Sequence, residues 1–298
     1  MPLGPELRVD IPAGVGASET ARILKREGVI GSVLLFKAAA KLSGADRSLK
    51  PGTYRFRKGM GARRALGIIR AGRIEHVRIL IPEGFMASQI ALRLGEAGVA
   101  DAQPFLAYVR ENNLEGFLFP ATYFFSRGMD AAAVAHHMHA EFTRYAEPEF
   151  ESVRQERFTL AQVVTLASIV QREALVASEM PVIAAVYLNR LSRRMRLEAD
   201  PTVQYALGAE KGVWKKRLTR SDLKTYSRYN TYQNFGLPPG AICSPGLDAL
   251  RSVLHPGSTD TLYFVADNTG THIFSRTIEE HNRARERVKR AARASAVK

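Results

Sequence analysis

From Thr159 the chain carries apolar side chains at the period of a helix. Val163, Leu166, Ala167, Ile169 and Val170 recur at three- and four-residue spacing, which predicts a helix with one buried stripe. Thr159 and Gln162 have the spacing of a capping box, so the register is set in the first turn. Counted forward, the next stripe position is Glu173, a carboxyl where the pattern asks for an apolar side chain. A second helix is expected after it, with Ser178 as cap, Val182, Ile183, Val186, Tyr187 and Leu188 as apolar positions, and Asn189 near its end. Asp200 is placed to cap a further short helix, with Pro201 at the first helical position.

The N-terminal third repeats itself. Laid over Ile79 to Ala100 without gaps, Val9 to Ile30 is identical at nine of 22 positions, among them Ile11/Ile81, Pro12/Pro82, Gly14/Gly84, Leu24/Leu94 and Gly28/Gly98. The unit reads as strand, turn, helix: the strand ends at the Pro, and Gly14 or Gly84 permits the turn. Ser18 or Ser88 is expected to cap the helix, and Gly28 or Gly98 to end it in the left-handed conformation. A looser third copy is expected from Tyr54 to Gly72. Such small units must pack together to bury a core, which predicts one compact N-terminal domain.

Beyond residue 101 helical segments dominate, interrupted by the aromatic run Phe117 to Phe125, where Pro120 argues against a continuous helix. Thr261 to Ala266 and Thr271 to Phe274 flank a turn-rich linker at Asp267 and predict a hairpin. Thr277 and Glu280 form a second capping box that opens the last helix. The fold class is therefore α+β, with a small strand-helix domain over residues 1–104, a helix-rich mixed domain over 105–282 and a basic tail over 283–298.

Composition narrows the chemistry. A chain of 298 residues with 46% hydrophobic and 24% charged residues is long enough for two globular domains. With no apolar run of membrane-spanning length and no secretory signal, it is expected to be soluble. The single cysteine, Cys243, excludes an intrachain disulfide and reads as a packing residue. The net charge of +14 favours an anionic partner. Much of that excess lies in the tail, and no nucleic-acid-binding motif accompanies it, so nucleic acid is not the expected partner. His136, His137, His139 and Glu141 lack metalloprotease spacing and read as a solvent-facing helix side; no metal and no cofactor are expected.

Glu173 remains the candidate for chemistry. Burial disfavours the charged form, so a carboxyl on that stripe should titrate above its ordinary value, as suits a general acid near neutral pH. The same pattern also permits an ordinary ion pair with Arg172 or Arg190. Loops at Tyr229 to Tyr232 and Gly236 to Ile242, the latter stiffened by Pro238 and Pro239, have the composition of site-lining segments.

The runs Ala167 to Glu173, Asn189-Arg190, Asp200 to Val203, Tyr229 to Tyr232, Gly236 to Gly240, Ser244 to Gly246, His255-Pro256 and Tyr263 to Asp267 resemble, in order, the YceG-like family of endolytic murein transglycosylases. Ile81 to Gly84 and Glu115 to Pro120 belong to the same likeness. The resemblance implies a LysM-like region followed by a catalytic domain that cuts nascent peptidoglycan strands internally, without cofactor or metal. It assigns the acid–base role to Glu173. It implies that Ser168, Asn230, Thr231 and Tyr232 contact sugar, and that Asn189 and Asp200 shape the site. It further implies work at the periplasmic face of the cell membrane, an N-terminal anchor not seen in this sequence, and penicillin-binding proteins as partners. Ala121 departs from the pattern, standing where the family usually has Asp. Two readings compete: a silent peptidoglycan-binding scaffold, and a hydrolase using Asp200 or Glu198 as a second carboxyl.

Overall fold

The computed structural model describes residues 4–12, 14–45, 49–153, 158–267 and 269–295. Along the N-terminal part run β1 (Glu6–Ile11), α1 (Ala17–Arg26), α2 (Val33–Leu42), β2 (Gly52–Arg57) and α3 (Ala62–Ala71). They are followed by β3 (His76–Leu80), α4 (Ala87–Glu96), α5 (Ala102–Glu111), β4 (Thr122–Ser126) and α6 (Ala131–Tyr145). The two series have the same order, strand-helix-helix-strand-helix, and in each the two strands pair with one another.

The repeat is thus longer than the strand-helix unit visible in the sequence. Its conserved positions have structural causes. Ile11 and Ile81, Ala21 and Ala91, Leu24 and Leu94, and Val29 and Val99 are buried in both copies. Gly14, Gly84, Gly28 and Gly98 all hold φ between +65° and +80°, where a side chain would be strained. The expected third copy is corrected: Tyr54 lies in β2, which closes the first unit against β1, and α3 belongs to that same unit.

The serine caps are corrected as well. Gly16 precedes α1 and Ser18 sits inside its first turn. At α4 the Ala87 N–H goes to the Glu115 carboxyl and the Met86 N–H to Gln89, while the Ser88 hydroxyl is buried without a hydrogen bond.

The remaining elements are α7 (Glu147–Ser152), α8 (Leu160–Glu173), α9 (Met180–Ser192), α10 (Asp200–Gly208), α11 (Leu247–Leu254), β5 (Tyr263–Ala266), β6 (His272–Ser275) and α12 (Ile278–Ser295). The chain divides into two compact units. One comprises Met1–Ile79, Leu94–Asp101 and Thr122–Asp130; the other comprises Leu80–Arg93, Ala102–Ala121 and Ala131–Lys298. A boundary at 104/105 falls inside α5.

In the first unit β1 and β2 run antiparallel, from Glu6 opposite Arg57 to Ile11 opposite Gly52. Val9, Leu24, Phe36, Tyr54, Phe56 and Ile69 fill the core above them. In the second unit α8 is the central helix. Every residue from Val163 to Val170 is buried, in a core shared with Ile183, Tyr187, Ile242 and Leu250. The hairpin β5–β6 forms with Tyr263 opposite Ser275, and α12 stacks His281 on Tyr263. At the start of α12 the Thr277 hydroxyl accepts the Glu280 N–H as expected, but the Glu280 carboxyl reaches back to Arg276 instead of Thr277. Cys243 is buried, with its thiol directed at the Ser168 carbonyl. His139 corrects the solvent-facing reading of its helix, packing half-buried against Phe117 and Phe142 while His136 and His137 stay exposed.

Candidate active site

The capping box predicted for α8 is present. The Gln162 N–H meets the Thr159 hydroxyl at 3.3 Å, and the Thr159 N–H meets the Gln162 side chain at 2.9 Å. From that start the register brings Glu173 to the last residue of the helix, where Ala174 turns to extended backbone. Tyr187 of α9 lies opposite, fully buried, and donates its hydroxyl to Glu173 Oε1 at 2.7 Å. No described residue donates to Oε2, and that oxygen is not sealed from solvent.

Neither arginine makes the ordinary ion pair that the sequence permitted. Arg172 lies 4.2 Å over the Trp214 ring. Arg190 donates to the carbonyls of Leu262 and Leu197, at 2.6 and 2.9 Å, and pairs with Glu198 at 3.4 Å. Burial therefore dominates the Glu173 carboxyl and pushes it up to about 7. The negative charge of Asp200 pushes the same way. The Tyr187 hydrogen bond and the fields of Arg190 and Arg172 oppose them. The carbonyl end of α8 adds to the upward push, since a helix C-terminus disfavours a carboxylate.

Asp200 reaches this neighbourhood through a tied-down loop. It is the first residue of α10, and Ala199 occupies the cap position, so the expected capping role is corrected. Its carboxyl instead accepts the Tyr232 hydroxyl at 2.6 Å. Ser178 likewise is not a cap; it lies in a 3-10 turn, Ala177–Glu179, ahead of α9.

The other expected sugar contacts are turned inward. Ser168 is fully buried, donating to the Thr165 carbonyl and accepting the Ile242 N–H at 3.0 Å, which fastens the segment after Pro239 to α8. Thr231 accepts the Ala199 N–H and shares a 2.9 Å hydrogen bond with Thr202, fixing the start of α10. Asn230 donates to the Leu223 and Thr225 carbonyls and accepts the Tyr232 N–H. Asn189 holds the carbonyls of Thr259 and Thr261 ahead of β5. These four position their neighbours; Glu173, Asp200 and Tyr232 are the predicted residues that share one field. Glu198, next to them, holds φ +50°, a conformation that a non-glycine residue keeps only when its surroundings fix it.

Two further residues belong to this chemistry. The sequence pattern places Tyr187 on an apolar stripe, although a buried tyrosine hydroxyl requires a partner and so points to a nearby acceptor. Glu115 stands in the sequence only as one member of the run Glu115 to Pro120. It too is pushed up to about 7, chiefly by burial, and it accepts the Tyr205 hydroxyl at 3.1 Å. Pro238, Pro239 and Tyr229 line a cavity with Glu115, not with Glu173.

A carboxyl at a helix end, kept protonatable near neutral pH within the field of a second carboxylate, has the chemistry that acid–base work requires. The YceG-like family model matches residues 9–287, and the chain belongs to that family. It is 31% identical to an endolytic murein transglycosylase of Bacillus subtilis, over 94% of this chain and 84% of that protein. It is 29% identical to the endolytic murein transglycosylase of Streptococcus pneumoniae strain D39, over 92% of this chain but 57% of that longer protein. A crystal structure of a YceG-like protein from Listeria monocytogenes aligns with TM-score 0.60 at 30% identity, covering 94% of this chain and 99% of that one.

Proposed function

We propose that this protein is an endolytic peptidoglycan lytic transglycosylase with Glu173 as its acid and base. The observation that carries the reading is the pairing of a burial-raised carboxyl, held near 7, with an oxygen left free on its open side. Membership of the family and the names of its relatives supply the substrate class.

Tyr187 occupies Oε1, so the acid proton resides on Oε2. From there it passes to the glycosidic oxygen between N-acetylmuramic acid and N-acetylglucosamine. As that bond breaks, positive charge grows at the muramoyl anomeric carbon, and Asp200 supplies negative potential. The carboxylate left at Glu173 is stabilised by Tyr187 and the two arginines. It then takes the proton from the C6 hydroxyl of the same sugar, whose oxygen closes the 1,6-anhydro ring. The nucleophile is intramolecular, so positioning replaces much of what a second catalytic carboxyl would do, and no water is consumed. Asn230, Thr231 and Ser168 act through the loops they fasten, and Asn189 through the approach to β5.

The substrate emerges outside the cell membrane, and we place the enzyme there. No helix among the described residues is long and apolar enough to cross a membrane. The strand-helix repeats fit a LysM-like glycan-binding region, with glycan strands as partner and wall synthases as its neighbours. Mass spectrometry of cleaved glycan tests the reaction: anhydro-muramoyl ends are expected, and reducing muramic acid ends would replace lysis by hydrolysis with Asp200 as partner. Unchanged glycan with retained binding would leave only the scaffold reading.

A further inference from the structure

The second unit contains a cavity of about 700 Å³ whose walls include Gln162 and Thr165 of α8, Phe117, Tyr229 and Pro238, with Glu115 inside. It is separate from the acid–base site. Glu173, Asp200 and Tyr232 are absent from its walls, and Thr165 precedes Glu173 by eight residues, about 12 Å along a helix. Its volume and its mostly apolar walls with few polar groups are those of a ligand site.

Its electrostatics are unusual for this molecule. In a chain of net charge +14, no Lys, Arg or His lines the cavity among the described residues. The Glu115 carboxyl accepts the Ala87 N–H at 3.0 Å, the Tyr205 hydroxyl at 3.1 Å and the Gly116 N–H, and no cation acts on it. Glu173, by contrast, feels two arginines. Two carboxylate oxygens offer about four acceptor positions, so with three donors one is left on this residue of the cavity lining. The Thr165 and Tyr229 hydroxyls can accept as well, and aromatic side chains in the lining, Phe117 and Tyr229, favour a cation over an anion. An anionic group would meet a carboxylate with no countercharge. A neutral sugar would pack on the walls and leave that charge unanswered.

We infer that the Glu115 cavity is a second binding site that takes a primary ammonium group on a flexible chain, of the kind that peptidoglycan peptide stems carry. The stem as its source rests on the function proposed above; the preference for an ammonium does not. Holding a stem there would set which muramoyl unit reaches Glu173.

The test uses the Glu173→Gln protein, in which cleavage is expected to be too slow to consume ligand during a titration, and titration calorimetry with muropeptides bearing a free or an acetylated stem amine. At pH 8 acetylation is expected to weaken binding tenfold or more, and the free-amine ligand is expected to bind more tightly at pH 8 than at pH 6. Adding Ala161→Trp, at the exposed edge of the cavity, is expected to remove the difference between the two ligands. Equal affinity for the two muropeptides, or a difference that survives Ala161→Trp, overturns the inference. Adding Glu115→Gln gives the same readout if a thermal melt shows it folded; if it does not fold, Ala161→Trp decides. Failure of the lytic reading would appear separately, in the product ends made by the unmodified enzyme.

Discussion

Two glutamates in one unit, Glu173 and Glu115, are each buried beside a tyrosine, and burial pushes each up to about 7. They differ in what is left over. Glu173 takes one hydrogen bond, on Oε1, and keeps Oε2 open; Glu115 takes donors on both oxygens. A general acid must have a free oxygen to carry its proton to substrate, whereas a carboxyl with a donor on each oxygen and a single acceptor position to spare is suited to holding a group, not to delivering a proton. A raised pKa therefore does not by itself identify a catalytic group, and the count of spare acceptor positions separates the two.

The comparison breaks most visibly in turnover. Glu173→Gln keeps the acceptor for Tyr187 but has no proton to give, and glycan cleavage is expected to fall by about 10²- to 10⁴-fold, the usual worth of a general acid. A folded Glu115→Gln is expected to stay within about tenfold, losing only what substrate holding supplies. Assaying both variants on one glycan preparation checks this, and equal losses would erase the distinction.

Stability should separate them in the opposite sense. A carboxyl whose folded pKa is raised from 4.5 to about 7 contributes stability that is full below about 4.5 and is lost as pH rises through about 7. Removing the charge at Glu173 is therefore expected to raise the melting temperature at pH 8 by several degrees, for at most about 3 kcal/mol, and to do little at pH 4. At Glu115, which accepts three donors spread over both oxygens, the same change puts an amide NH₂ where a donor expects an oxygen. That buried mismatch costs about 1 to 3 kcal/mol and offsets the gain. Melts of both variants at pH 4 and 8 decide it.

How much of this the sequence carried differs between the two sites. The carboxyl at Glu173 was legible because the capping box set a register and Glu173 broke an apolar stripe within it. Glu115 breaks no stripe. It lies in a loop whose burial depends on α4, α10 and the Pro238-Pro239 segment folding against it, and no local period reports that. The strand-helix repeat is legible from identical residues in one gapless register, but its second helix and closing strand recur one residue out of that register: Phe36/Phe105, Tyr54/Tyr123 and Phe56/Phe125 are identical and buried in both copies at a spacing of 69 instead of 70. The family resemblance implies sugar contacts for Ser168 and Thr231. Only the fold shows those hydroxyls spent on the backbone of Ile242 and Ala199.

Smaller effects test the parts of the Glu173 site. In the proposed reaction Glu173 starts protonated, so kcat/KM is expected to fall as pH rises through about 7. Tyr187→Phe removes the hydrogen bond that favours the carboxylate, and the falling limb should move to higher pH. The shift is about half to one pH unit, the worth of one hydrogen bond of about 1 kcal/mol. A merely structural role for Tyr187 would lower the rate without moving the limb.

Asp200→Asn provides the opposite sign at the smallest scale. Its charge raises the Glu173 carboxyl, but Asp200 is exposed, and solvent screens an exposed charge. The falling limb should therefore move to lower pH by a few tenths of a unit, while the Asn side chain can still accept the Tyr232 hydroxyl. The rate on the acid side should fall as well, because the potential that favours a developing oxocarbenium is gone. A shift to lower pH with an unchanged plateau would make Asp200 only a tuner of Glu173. A lost plateau without the shift would make it a partner in bond cleavage. The sign of the limb and the height of the plateau thus separate two roles that one exposed carboxylate, hydrogen-bonded to Tyr232, leaves superposed in the structure.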